Sequence, residues 1–545
     1  MTLSLIARAR SRRSPRAALV IALLGLSALP ACGGSGAVPA SAPFIAEFPS
    51  EGPGGGSTPP TTPPPSLPVT PIWDPAAVSL DRTALFGSFS SDLVDFETSL
   101  FVTDADAVEG GGAFVRAFDL GGTVPVPSTR FTPVHVRAID LIDSLGGAGD
   151  AASPIGFGFF LNDLLVTDAR TGFVLASAGG SDSVPACSNL VVFDPTAGTL
   201  RQVVDLAIPF TSGAPLLDST GAAVPGQRFT QSGAEGLAYV PVTASTGVLF
   251  VAMSNFVFGA PSYGAVKYPG TVEVYDVDLS LGAPVRRRAT ATLLTQTILT
   301  HGFNPSAVTA IRLASGAARL LVTVAGTTGY DASSHLVPLT PAAVEVYDAA
   351  TLSFAGSFDL GLAGLASSRP ALGTDAAGHH IAALASSVKG EVYLLRTDGL
   401  YEDPIDTSKV AVLRGPKNGI AIDSAAAGGP GGNVAGLAIS SDGRTLVASG
   451  FGDLFAFPAP LPGRLYALTL PNDVVLDAAF TRTFVAGTTR LVTATGTTLG
   501  PVVIHPTMAG APEVFAAVSG AIDSATFLGT GPAHVGTLRT FSAIR

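Results

Sequence analysis

The stretch Leu320-Leu321-Val322-Thr323, followed by VEVYDAATLSFAGSFDLG at 344–361, decides the fold. Val344-Glu345-Val346-Tyr347 is rich in β-branched and aromatic residues, the composition of a strand. Asp348-Ala349-Ala350-Thr351 then reads as a turn. An apolar β-branched strand, a connection, and a second strand ending near Asp form a unit. The unit recurs along the chain. Leu100–Thr103 precedes Phe114–Asp119, Leu164–Thr167 precedes Leu190–Asp194, and Leu249–Ala252 precedes Val272–Asp276. Ile381–Leu384 precedes Glu391–Arg396, Thr445–Ala448 precedes Arg464–Thr469, and Ala525–Leu528 precedes Thr537–Ser542.

A third strand type leads into several of these units. Gly236–Val240, Pro305–Ala310 and Gly436–Ile439 are small and apolar, and Ser441-Asp442-Gly443-Arg444 is a hairpin turn with Asp-Gly chemistry. Strands in a fixed order at a loose period predict radial β-sheets. The expectation is an all-β chain folded as a single seven-bladed β-propeller with four-stranded blades, with six or eight blades as alternatives. The units are more widely spaced than the ~40–50 residues of compact propeller repeats, which predicts long connections. The chain stops soon after the seventh unit. The strand-like segment Thr83–Phe89 is therefore expected to pair into the last blade and close the ring, hiding sheet edges that promote aggregation.

Across about 75–545, the units resemble YVTN-type and WD-like β-propellers of secreted bacterial proteins, most visibly at 320–361 and in GLAISSDGRTLVASG at 436–450. The resemblance implies a propeller and no particular activity, because binding modules and enzymes share this fold.

Composition fits this reading. The chain has 545 residues, of which 47% are hydrophobic, enough for a large core. Its 63 Gly and 42 Pro supply turns for many strands. A net charge of -11 argues against nucleic acid as a partner, since phosphate binding needs clustered Lys and Arg. Beyond the first 16 residues, Arg286-Arg287-Arg288 is the one basic run, expected in a solvated loop.

The N-terminus reads as an address. Arg8, Arg10, Arg12, Arg13 and Arg16 precede the apolar run Ala17–Leu29. That run is too short to span a bilayer and suits a signal peptide over 1–31. Leu29-Pro30-Ala31-Cys32 resembles the lipobox of bacterial lipoproteins, with Pro30 where a small residue is usual. The resemblance implies cleavage before Cys32, diacylglycerol on its thiol, and an acyl chain such as palmitate on its new amine. Gly33 after the cysteine favours the outer membrane over the inner. Residues 32–74 are then a disordered Gly/Pro/Ser/Thr-rich tether, and 75–545 the propeller. With Cys32 acylated, Cys187 has no intramolecular partner.

Propeller sites lie at the channel mouth, where connections enter innermost strands. The polar residues placed there are Glu235, Asn304, Asn418 and Asn433, with Asn255 and His301 close by. Ala234-Glu235-Gly236-Leu237-Ala238 resembles the Glu-Gly opening of gluconolactonase-type propellers. That resemblance implies Glu235 as a ligand to Ca²⁺ or another divalent ion, and lactone or ester hydrolysis as the alternative function. His379-His380 is expected to top a solvated hairpin. No nucleophile elbow, metal-spaced histidine pair or phosphate loop occurs. The expected function is a membrane-anchored binding module, without catalytic residues, whose partner is a protein, glycan or small ligand.

Overall fold

The computed structural model describes residues 45–46, 76–79, 88–89, 92–96, 99–106, 113–119, 134–140, 160–178, 187–206, 215–217, 223–228, 234–254, 270–287, 297–326, 328–330, 336–365, 369–386, 388–421, 434–450, 463–475, 491–492, 499–505, 513–518 and 537–542. Apart from two single-turn 3₁₀ segments, Asp398–Tyr401 and Thr407–Lys409, every regular element among them is a strand.

The strands form antiparallel sheets of at least four strands, numbered here in chain order. Sheet 1 holds Leu93–Phe96, Ser99–Asp106, Ala113–Asp119 and Val134–Asp140, with Ser88–Phe89 also on Ser99–Asp106. Sheet 2 holds Phe160–Asp168, Thr171–Ala178, Cys187–Asp194 and Thr199–Asp205. In sheet 3, Ala234–Pro241 and Thr246–Met253 lead to Thr271–Asp278, which carries Val285–Arg287 and Thr297–Leu299 on its far edge. Sheet 4 runs through Pro305–Arg312, Ala318–Val324, Ala343–Asp348 and Phe354–Asp359. Sheet 5 runs through Ala371–Thr374, His380–Ser386 and Glu391–Arg396, with Ala411–Arg414 and Ile420–Ala421 outermost. Sheet 6 takes Val434–Ile439, Thr445–Gly450, Arg464–Thr469 and Leu491–Val492. Sheet 7 takes Leu499–His505, Glu513–Val518, Thr537–Ser542 and, from the far end of the chain, Ala76–Ser79. Two hairpins, Pro215–Leu217 with Ala223–Arg228 and Thr328–Tyr330 with Leu336–Pro338, interrupt the repeat.

The arrangement is a β-propeller. Each central strand sends alternate side chains to opposite neighbours, as the strand period requires. Leu249 and Val251 join Phe173 and Leu190 between sheets 2 and 3, whereas Phe250 and Ala252 join Leu320 and Val322 between sheets 3 and 4. Leu321 and Val346 meet Leu384 and Tyr393 between sheets 4 and 5, and Ile381 and Leu394 meet Leu446 and Tyr466 between sheets 5 and 6. Both faces of these strands are buried, so they read as continuous apolar runs.

Three expectations about pairing change. The segment that closes the last sheet is Ala76–Ser79, antiparallel to Thr537–Thr540. Ser88–Phe89, from the segment expected there, lies instead in sheet 1, against Ala105 and Asp106. In the second unit, Leu164–Thr167 belongs to the innermost strand, and the neighbour of Cys187–Asp194 is Thr171–Ala178. The turn at Ala169-Arg170 is so short that two strands read as one. In the seventh unit Glu513–Val518 pairs with Thr537–Ser542, while Ala525–Leu528 lies outside the described residues. Within the stretch expected to be disordered tether, Ile45–Ala46 forms a short strand on sheet 4.

The innermost strands share a device invisible in the pattern. Each of five carries a bulge near its start, between Leu161 and Leu164, Ala234 and Gly236, Pro305 and Ala307, Val434 and Gly436, and Leu499 and Val502. A bulge inserts an extra residue and bends the strand, here where neighbouring sheets crowd together. At Gly236 an added Cβ would lie 2.8 Å from Ala307 Cα and 2.9 Å from Val308 N. At Gly436 it would lie 2.9 Å from Val502 N. Both contacts are to backbone, which has no rotamer to give way. Gly236→Ala and Gly436→Ala should each lower unfolding stability by about 1–3 kcal/mol in denaturant titrations. Gly282→Ala, with open space around its Cβ, should behave as wild type.

Candidate functional site at the channel mouth

The bulges decide what lies at the mouth of the channel. A bulged strand leaves backbone N–H groups unpaired, and these must find acceptors. Leu164 N, in sheet 2, donates to Asp92 Oδ2 of sheet 1 at 2.7 Å. Leu237 N, in sheet 3, donates to Asp163 Oδ2 of sheet 2. Asn162 Nδ2 donates to Ala234 O at 2.6 Å across the same seam. Thus an acidic side chain at the start of one innermost strand satisfies the next, and the two aspartates hold sheets 1, 2 and 3 in register.

Arg369 comes from the opposite side of the ring, two residues ahead of the first strand of sheet 5. Its Nε donates to Asp163 Oδ2 at 3.2 Å, and its Nη2 donates to Asp163 Oδ1 and to Leu164 O, the latter at 2.6 Å. Nη2 also stands 3.6 Å from Asp92 Oδ2. Asp163 is almost fully buried, whereas the Arg369 side chain keeps 29% of its surface exposed. Burial drives the Asp163 carboxyl upward from its ordinary range; Arg369 opposes this, and Asp92 adds to it. This charged cluster was missed from sequence, since Asp92, Asp163 and Arg369 lie far apart in the chain and belong to no motif.

Glu235 sits at the bulge of sheet 3 and is 8% exposed. Loss of solvent pushes its carboxyl up to about 8, against a hydrogen bond with Ser254 that favours ionisation. At neutral pH burial therefore favours the protonated form of this side chain. Among the described residues, no three His, Cys, Asp or Glu side chains converge in a way that would hold a metal ion.

The other expected residues disperse. Asn304 has a left-handed φ of 60°, tolerable for Asn. Its carbonyl accepts from Ala325 N at 2.9 Å, and its Nδ2 donates to Gly326 O at 3.3 Å. It therefore clamps the lead-in of sheet 4 to the end of that sheet's second strand. His301 lies outward on sheet 4 instead of at the mouth. Its ring is 4.2 Å from Phe354, and Nδ1 is 3.6 Å from Glu345 Oε2, which raises the imidazole pKa. Asn418 is on the rim, where Oδ1 accepts from Gly415 N at 2.8 Å and closes a turn after Ala411–Arg414. Asn255, Asn433 and Cys32 lie outside the described residues.

At the other end of the propeller, His379 is not merely solvated. Its Nδ1 is 3.0 Å from Asp398 Oδ2 and its Nε2 3.8 Å from Asp473 Oδ1, joining sheets 5 and 6. His380 stacks on Tyr401 at 3.8 Å.

No protein-family model matches the chain, and no curated protein matches it. Among solved structures, it is similar to Kuenenia stuttgartiensis hydrazine synthase (13% identity, TM-score 0.38, covering 77% of this chain and 89% of that one). It is also similar to the periplasmic gluconolactonase of Pseudomonas aeruginosa (15%, TM-score 0.38, 82% and 100%). Trypanosoma rangeli sialidase in complex with the inhibitor DANA follows at 9% identity and a TM-score of 0.34, over 70% and 54%.

Two outcomes follow from the channel mouth. Folded Glu235 keeps its proton to about pH 8, whereas a solvated Glu carboxyl loses it near 4.5. Between these limits the folded state binds the extra proton, so this group makes stability fall as pH rises, by about 1.4 kcal/mol per unit. In chemical denaturation across that window, Glu235→Gln should flatten the slope by that amount. Arg369→Met leaves two facing carboxylates without their cation and should cost about 3–5 kcal/mol at neutral pH. Adding Asp163→Asn should recover part of that loss, measured as a double-mutant cycle.

Proposed function

We propose that this chain is a lipid-anchored envelope protein whose propeller, of seven blades, is a non-enzymatic binding module. The observation that carries the binding face is an asymmetry between its two ends. Turns between first and second strands are tight, as at 169–170, 242–245, 313–317 and 375–379, and the longer connections at that end, 120–133, 397–410 and 470–490, run from third to fourth strands. Connections between second and third strands, which emerge at the channel-mouth end, include 254–270, 325–342, 451–463 and 519–536. Connections from one sheet to the next emerge at that end too, including 141–159 and 206–233. Recognition is concentrated in loops held by a rigid scaffold, so the long-connection end is the ligand face. The arginine run, the apolar run and Cys32 support export, acylation and an outer-membrane address. Acyl chains contribute about 0.8 kcal/mol per buried methylene, so more than one gives a firm anchor.

The competing reading is a lactonase or esterase using Ca²⁺ or another divalent ion on Glu235. In cells fed radiolabelled palmitate, the wild-type chain should carry label and sediment with membranes. Cys32→Ser should lose the label and appear in the soluble fraction. Label retained by that variant would overturn the anchor. Mass-spectrometric metal analysis of the purified chain should find no stoichiometric divalent ion. One equivalent that disappears in Glu235→Ala would favour the hydrolase instead.

A further inference from the structure

The outer edge of sheet 4 differs from the other sheet edges. Its last strand, Phe354–Asp359, pairs on one side with Ala343–Asp348. On the other side it pairs, in parallel, with Ile45–Ala46, in register Ile45 to Ser357 and Ala46 to Phe358. Among the described residues, no other sheet receives a parallel strand. An outermost strand presents a row of unpaired N–H and C=O groups and is a template for an added strand. Ile45 is β-branched and suited to an extended conformation, in a stretch otherwise rich in Gly, Pro and Ser.

We propose that the outer edge of Phe354–Asp359 is a strand-addition site whose occupant is the chain's own segment around Ile45–Ala46, and that this docking sets how the propeller hangs from the membrane. The first part stands on the pairing alone; the second rests on acylation of Cys32. If the first anchored point were Ala76, the span from Cys32 could reach about 150 Å. With Ile45 docked, the free span shrinks to about 45 Å. The rim of sheet 4 becomes the part of the propeller nearest the bilayer. The tether is then a short strap fixed to one rim, and the ligand face is carried sideways instead of sweeping freely.

The test uses the full chain with Cys32→Ser and Cys187→Ser, so that acylation plays no part and no other thiol remains. Ile45→Cys is combined with Ser357→Cys, its register partner, or with Val412→Cys on the outer edge of sheet 5. After mild oxidation, an intramolecular disulfide between 45 and 357, at least fivefold more abundant than that between 45 and 412, is expected. Equal yields for the two pairs would overturn the site. Disulfide-linked dimers at 45 and 357 would overturn the assignment of the occupant, showing a second copy on the edge. As a readout that needs no cysteine, amide exchange over 354–359 should accelerate when residues 44–47 are replaced by Gly-Ser. Unchanged exchange would also overturn the proposal. Neither result depends on whether Cys32 is acylated, so failure here is distinguishable from failure of the anchor.

Discussion

The close approach of the innermost strands is the constraint on which the rest of this propeller depends. Where Gly236 meets the backbone of Ala307 and Val308 there is no room for a side chain. The strands answer with bulges, the bulges release backbone donors, and the donors recruit Asp92 and Asp163 from the preceding sheets. Two carboxylates gathered in one place then need a cation, which Arg369 brings from across the channel. A steric problem at the axis thus becomes an electrostatic one at the mouth, and its solution ties sheet 5 to sheets 1 and 2.

Away from the axis, side chains take over the role of strand pairing between sheets. Gln202 of sheet 2 both donates to and accepts from the backbone of Val285 in sheet 3, each at 2.8 Å, as a peptide group would. Arg319 of sheet 4 donates to Leu400 O in sheet 5. Within sheets 3 and 4, Tyr275 and Tyr347 donate to Glu273 and Glu345, two residues earlier on the same strand face. Glu345 in turn accepts from the backbone of His301 and Gly302, holding the lead-in of its own sheet. The VEVYD repeat therefore encodes a loop clamp as well as a strand.

Much of this architecture is legible in the residues because strands buried on both faces are long apolar runs, and such runs as Leu320–Thr323 stand out from polar connections. The Asp residues ending strands also behaved as local chemistry requires: Asp194 accepts from Thr196 and Ala197, and Asp348 from Ala350 and Thr351. Strand neighbours were harder to read. Thr171–Ala178 follows Asp168 after so short a turn that no break in composition marks it. Closing the ring with Ala76–Ser79 depends on long-range pairing of small residues with no distinctive pattern. Of the candidate site, Glu235 was visible because Glu stands out before a small apolar strand. Arg369 was not, because its meaning lies in partners from two distant parts of the chain. His301 and Asn418 sit near lead-ins in sequence but face outward, since a connection has two sides and a one-dimensional pattern does not distinguish them.

The composite seventh sheet has a consequence for how the chain reaches its final form. Ala76–Ser79 cannot acquire its partner until Thr537–Ser542 has been synthesised, so the pairing that completes this sheet forms late. Contacts between segments so distant in sequence are slow to form, because loop closure precedes any gain. Until that pairing forms, the outer edge of Thr537–Ser542 is open. A closure step that joins such distant segments is a built-in delay between forming the individual sheets and completing the fold.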